Sequence, residues 1–308
     1  MYKYILKRLL ALIPVLLAVI LMIFAIMEMT PGDRATMALG PMATEEAKEI
    51  WREEHNLNDP FLSRYFDYVT GLLKGDMGKS YKNNQPVSSE ILKRLPATAI
   101  LALASIFFAL IVSIPIGIIS AVKQNTIFDY AGMTVAMLGI AIPAFWLGML
   151  LIILFALNLR WLPPGGSGSF MHLILPAFTA GAGNAANLAR IMRSSMLEVI
   201  RQDYIRTAKA KGVSGKKVIL KHALRNSWIP VITVAGLQVG TLLGGTVVVE
   251  NVFSWNGLGN YLINCISKRD TPAVVGVIVV MTIIFAIVNL LVDVIYAYVD
   301  PRIKAQYK

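Results

Sequence analysis

The chain alternates long apolar runs with polar breaks. A helix that crosses a bilayer needs about 20 mostly apolar residues. The first such run, Leu9 to Met29, contains Pro14 and stops at Thr30-Pro31-Gly32. A polar stretch, Pro31 to Pro96, follows, with ten acidic residues against nine basic ones. Within it, Thr44 ahead of Ala47, Ile50 and Trp51 predicts a capped short helix, and Arg64 to Leu73 an amphipathic one. Apolar runs resume at Ala97–Val122, with Pro115 and Gly117, and at Tyr130–Leu157, with Pro143, joined by a connection over 123–129. Pro or Gly inside a span is tolerated where neighbouring helices satisfy the freed backbone groups. Trp161 to Gly166 reads as a turn with an interfacial aromatic. The fourth run, Leu173–Leu197, is the least apolar, interrupted by Gly181, Gly183, Asn184, Asn187, Arg190 and Arg193. Trp228–Val249 and Ala273–Val299 complete the set. The pattern predicts an all-α integral membrane protein with six transmembrane helices. Its parts are residues 1–30 (the N-terminus and first helix), an insertion at 31–96, and a five-helix core at 97–308. Neither an internal repeat nor a low-complexity tract is visible.

Composition agrees. The 308 residues are 56% hydrophobic and 15% charged, where soluble domains run nearer a quarter charged. The net charge of +11 needs no nucleic-acid partner, because cytoplasmic loops of membrane proteins accumulate Lys and Arg. One cysteine, Cys265, excludes an intrachain disulfide and a cysteine metal cluster. His55, His172 and His222 are scattered without metal-ligand spacing. The first apolar run is too long for a signal-peptide core and lacks a small-residue cleavage site, so no cleavable signal is expected.

Basic residues set the orientation. Eight Lys/Arg against Glu198 and Asp203 fall within 198–225, and the loops 31–96 and 250–272 are near neutral. With six spans both termini share a side with 198–226, which is expected to be cytoplasmic, together with the tail bearing Arg302, Lys304 and Lys308. The 31–96 insertion is then extracellular.

Tyr204 to Pro230 is a polar island between two spans, with seven Lys/Arg and no acid. Asp203 can cap a short helix, Tyr204 to Lys211, rich in small residues, and Gly212 suits the position after its end. Ser214 can cap a second helix with Val218, Ile219, Leu220, Ala223 and Leu224 on one side and Lys216, Lys217, Lys221 and His222 on the other. Such a pair can seat in a groove of another protein or lie on anionic lipid. The residues alone leave both open.

Arg206-Thr207-Ala208, then Gly212, Leu224 and Pro230, resemble the EAA-type loop of ABC importer permeases, in the Arg-Thr-Ala form of the peptide-importer branch. Pro31-Gly32-Asp33, Gly75 to Ser80, Pro86-Val87, Arg94 to Thr98, Glu250 to Gly259 (with Asn256 where Pro is common) and Asp293 to Ile303 resemble the same branch. The chain is therefore similar, over nearly its whole length, to the first of two permease subunits of a dipeptide/oligopeptide (Dpp/Opp) ABC importer with a type I fold. The resemblance implies a transport subunit that is not itself an enzyme, in a bacterial or archaeal cell membrane. It implies a second homologous permease, two ATPase subunits that hold ATP and Mg, an extracellular substrate-binding protein, and a peptide substrate. Tyr204, Arg206, Thr207, Ala208, Lys211, Gly212 and Val213 would couple to the ATPases, with Ala208 and Gly212 closest to them. Glu250, Phe253, Ser254 and Trp255 would contact the binding protein, and 31–96 would form a scoop-like cap beside it.

Other readings have less behind them. Gly78-Lys79-Ser80 imitates a phosphate loop, but position 73 is Leu where that motif needs Gly. A self-sufficient secondary transporter would need inverted repeats and midplane ion ligands, and a membrane enzyme would need a catalytic set inside a span. Neither is present. Nickel or other metal chelates are the alternative substrates within the class. Glu28, Asp293, Arg190 and Arg193 lie near span ends and are expected to form structural pairs. The run Thr179 to Ala186 permits close helix packing, and Asn184 and Asn187 are the candidate pathway-lining donors.

Overall fold

The computed structural model describes residues 2–299. The tail cations and the last residues of the Asp293–Ile303 motif lie outside them. Among the described residues the chain is helical, with one isolated bridge between Lys79 and Pro86. α1 is Tyr2–Met29. The following polar stretch folds into α2 (Arg34–Leu39), α3 (Glu45–Glu54) and α4 (Phe61–Leu73). Thr44 caps α3 as predicted, its hydroxyl accepting from Ala47 N at 3.3 Å.

α5 runs Val87–Val122, ten residues earlier than the apolar run alone suggests, with Pro96 and Pro115 inside the helix. The third apolar run is not one helix. α6 (Ile127–Ala141) and the helix 144–158, which opens as α7 (Ala144–Leu151) and ends in a π-helical stretch, meet at 105°. Ile142 and Pro143 are extended there, because proline disfavours helical geometry in the residue before it. α8 spans Phe170–Ile200 and α9 Asp203–Ala210. α10 (Gly215–Lys217), a π-helical turn and α11 (Leu224–Gly245) make one continuous helix of 31 residues. α12 (Val247–Val252), α13 (Leu258–Ser267) and α14 (Thr271–Val299) follow.

Among the described residues four helices are long and apolar enough to cross a membrane, and the bent pair makes a fifth. α8, the fourth apolar run, is excluded by composition rather than length: its 31 residues extend roughly 46 Å. It packs along α5, α6 and α11, which leave Asn184 and Asn187 partly buried. Glycines permit the approach. A Cβ on Gly181 would stand 2.6 Å from Ser105 O, and one on Gly117 2.6 Å from Met192 Cβ. The matches 105–181 and 117–192 make α5 and α8 parallel neighbours. Leu188, Met192, Met196 and Val231 are buried in the core they share.

Contacts sort the polar segments to two ends of the bundle. At one end Tyr4 and Arg8 reach Asp293 (2.8 and 2.9 Å), and Arg201 reaches Gln124 (3.4 Å). At the other, Glu28 pairs with Arg34 and Arg64 (2.7 and 2.8 Å), and Phe24 packs on Tyr65 and Tyr68. There the Arg269 guanidinium donates to Thr30 O and Gly32 O (2.8 and 2.6 Å). It lies 3.1 Å from where a Gly32 Cβ would be, and Gly32 has φ +117°, so a side chain would be both strained and in the way. Asp270 accepts from the Ser80 hydroxyl and from Tyr81 N. Ser80 is thus a buried tie between the insertion and α14, the opposite of an open phosphate loop.

Candidate functional site

The basic island forms a compact protrusion. α9 is seated by Ile205, which is fully buried, and by the half-buried Ala208 and Val213. Its end is a Schellman motif: Gly212 N donates to Lys209 O (3.0 Å), and Val213 N donates to Ala208 O (3.2 Å). Gly212 adopts φ +77°, a conformation glycine takes without Cβ strain. Asn226 Nδ2 donates to the Tyr204 hydroxyl at 2.7 Å, tying α9 to the start of α11.

Three details differ from the sequence reading. Gln202, not Asp203, occupies the N-cap position, and Asp203 lies in the first turn, where its charge suits the helix dipole. Ser214 holds the cap position of α10 but makes no side-chain cap bond. Leu220 is half exposed although predicted on the apolar side, because the π-helical turn Val218–Ala223 shifts the helical phase. Of the coupling candidates, Tyr204, Arg206, Thr207, Lys211 and Gly212 are exposed, whereas Ala208 and Val213 face the core. The surface α9 offers a partner is therefore the Arg206–Thr207–Lys211–Gly212 side. The Arg206–Asp203 pair, 3.7 Å apart and fully solvated, contributes little.

The sharp bend after α6 opens a cavity of about 620 Å³ against α8 and α11. Asn184 and Asn187 both line it, as do Arg190 and Gln238. Asn184 Nδ2 donates to Ala180 O (3.2 Å), and Arg190 Nη2 donates to Asn187 Oδ1 (3.1 Å). Gln238 was missed from sequence; an amide inside the apolar run Trp228–Val249 was the available signal. Just beyond, Arg193 and Asp129 form a bidentate pair at 2.7 Å, with Asp129 buried. This pair, like Glu28 and Asp293 with their arginines, has the structural role expected of it.

The outer-loop candidates are mostly internal. Glu250 is fully buried, Phe253 is 1% exposed and Trp255 5% exposed. Glu250 accepts from the hydroxyls of Thr98 (2.8 Å) and Thr246 (3.2 Å) and from the amides of Gly259 (2.7 Å) and Asn260 (3.1 Å). Burial still raises its pKa above the ordinary 4.5 against the pull of those donors. Trp255 Nε1 donates to Ala97 O (2.9 Å), and Phe253 O accepts from Gly166 N (2.7 Å). These three residues lock α12 and the loop before α13 to α5 and to the turn at 161–166. Their apolar and polar groups are consumed inside the chain, so of the four only Ser254 is exposed to a partner.

Four long apolar helices and a bent apolar pair, among the described residues, gather around a cavity that presents a few polar side chains, as a multi-pass membrane protein would. The chain belongs to the family described as "Binding-protein-dependent transport system inner membrane component", whose model matches residues 113–305, with the companion N-terminal model matching 1–102. It is 44% identical over 304 residues, 99% of both chains, to the glutathione transport system permease protein GsiC of Escherichia coli (strain K12) and to that of Salmonella typhimurium. Among solved structures, two inward-facing forms of the MetNI methionine ABC transporter match with TM-scores of 0.54 and 0.57 at 18% and 20% identity, covering 68% of this chain and 96% of theirs. At that identity they speak for the fold alone. The chain is a Dpp/Opp-type permease, a membrane subunit of an ABC importer in the inner membrane, and its family consists of transport subunits that are not enzymes themselves.

Proposed function

We propose that the chain is the first of two homologous permease subunits of an ATP-driven importer of short peptides, glutathione included, and forms half of its pathway. Six helices cross the membrane, with α8 and the bent pair each counted as one. Both termini and residues 198–226 are cytoplasmic, and the insertion at 31–96 is extracellular beside a substrate-binding protein, with Ser254 on the same face. Two ATPase subunits, holding ATP and Mg, receive α9. The alternative cargo, a metal chelate, is less favoured because the relatives named above are glutathione permeases.

The observation that carries the reading is the construction of α9. It is a short helix with one face bound to the core by Ile205 and the other exposed, ended by a left-handed glycine, and joined through Tyr204 to the continuous helix 215–245. A push on that exposed face passes to a membrane-spanning element, and packed helices then switch between discrete arrangements. Thr207 is exposed and bonds only its own turn, to Asp203 O at 3.0 Å, so Thr207→Arg leaves the fold intact. Affinity purification of the tagged chain is expected to recover a second permease and ATPases from wild type and to lose the ATPases in Thr207→Arg. Recovery of the chain alone from wild type would refute the reading.

A further inference from the structure

We infer that the cavity at the α6–α7 bend is a peptide subsite in which Arg190 receives a substrate carboxylate while Gln238 meets the peptide's amide groups. This rests on the peptide-importer reading and adds the substrate's required charge. Asn184, Asn187 and Arg190 repeat every three residues along α8, which places them on one face, and all three line the cavity. Among the described residues, Arg190 is the only ionisable one lining it. The other arginine of this helix end, Arg193, is taken by Asp129. Arg190 has no acidic partner among the described residues; its bond is to the neutral Asn187. Arg190 is exposed at the rim of the cavity, so its charge is open to an anion entering there, and its planar fork suits a carboxylate in particular.

Gln238 supplies the second, independent observation. It is 7% exposed, and its Oε1 is buried without a hydrogen-bond partner. A buried amide oxygen is ordinarily satisfied, and a peptide N–H entering the cavity would satisfy it. The remaining wall, including Gly139, Ile142 and Leu147, is apolar or small, so it lets side chains of different kinds pass. A volume of about 620 Å³ lies within the range of small-molecule sites, about 300–1,000 Å³. Its charge, its amide and its size together match a short peptide bearing a free carboxylate.

The test separates this subsite from selection by the binding protein. The assembled transporter in nanodiscs, without binding protein, carries Ala144→Cys, an exposed position on the cavity wall. The native Cys265 is buried and gives little background to a maleimide. Millimolar tri-alanine should slow labelling, and tri-alanine amide should do so at least about tenfold less effectively, the worth of one charge-assisted bond. Arg190→Gln should remove the difference and Arg190→Lys should keep part of it. Equal protection by the two peptides, or none by either, overturns the subsite, and this comparison needs no Arg190 variant to fold. In parallel, the wild-type complex with its binding protein should import tri-alanine or S-methylglutathione with ATP. Failure to import both defeats the peptide reading itself, and the subsite with it.

Discussion

Glu250 shows how one side chain can organise an end of the bundle. Its two oxygens collect two hydroxyls and two backbone amides from three separate segments. Glu250→Ala strands those donors in a buried site, at about 1–3 kcal/mol for each one left unsatisfied, and should lower the unfolding temperature of the purified permease markedly. Glu250→Gln keeps an acceptor for the amides and should stay close to wild type. Because the folded pKa is raised, the folded state holds more protons than the unfolded one above pH 4.5. Wild-type stability should therefore fall as pH rises from there through the folded pKa, and the Gln variant should lack that slope. Arg193 and Asp129 form the opposite kind of pair: Arg193→Gln strands a buried carboxylate and should cost about 3–5 kcal/mol, with Asp129→Asn in the same chain restoring part of it. Thermal melts of the single and double variants decide this. The sequence placed Glu250 in the right loop, but burial belongs to tertiary contacts such as Thr98, 152 positions away. That is why a residue matched to an outer loop proved to be an internal strut.

Among the elements, α9 and the bend after α6 were not equally legible. Asp203 to Gly212 carries its helix and stop signals locally, so its existence and its glycine end were readable to within one cap residue. The break at Pro143 was visible as a proline, yet apolar runs also tolerate proline inside continuous helices, as Pro14, Pro96, Pro115, Pro176 and Pro230 do here. Only packing against α8 decides between kink and break. For the same reason α8 looked like a weak span: its amides and arginines face neighbours and a cavity instead of lipid. The close approach of α5 and α8 yields a direct expectation. Gly181→Val drives two methyls toward the Ser105 carbonyl, where even a Cβ would be at 2.6 Å. The variant should lose folded permease in size-exclusion chromatography, at about 1–3 kcal/mol or more, whereas Gly244→Val, which meets nothing, should not.

At the scale of the whole molecule, two ends with different chemistry are joined by rigid helices. One end is helical and ion-paired, its insertion tied down by Arg269, Asp270 and Glu28. The other presents an exposed, mostly basic helix on a small-residue frame. Ile205 seats α9 on the core, and Tyr204 ties it to the helix 215–245 through Asn226. The cavity between these ends is where cargo would pass. Under the proposed function, α9 couples ATP hydrolysis to that passage. The direct measurement is ATP hydrolysed per peptide imported in proteoliposomes holding the full transporter and its binding protein, compared between wild type and Lys211→Glu, which reverses a charge on the exposed end of α9. Wild type should import peptide only with ATP and binding protein, and the variant should lose most import per ATP consumed. An unchanged ratio in the variant, or wild-type import without ATP, would show that α9 does not couple hydrolysis to import.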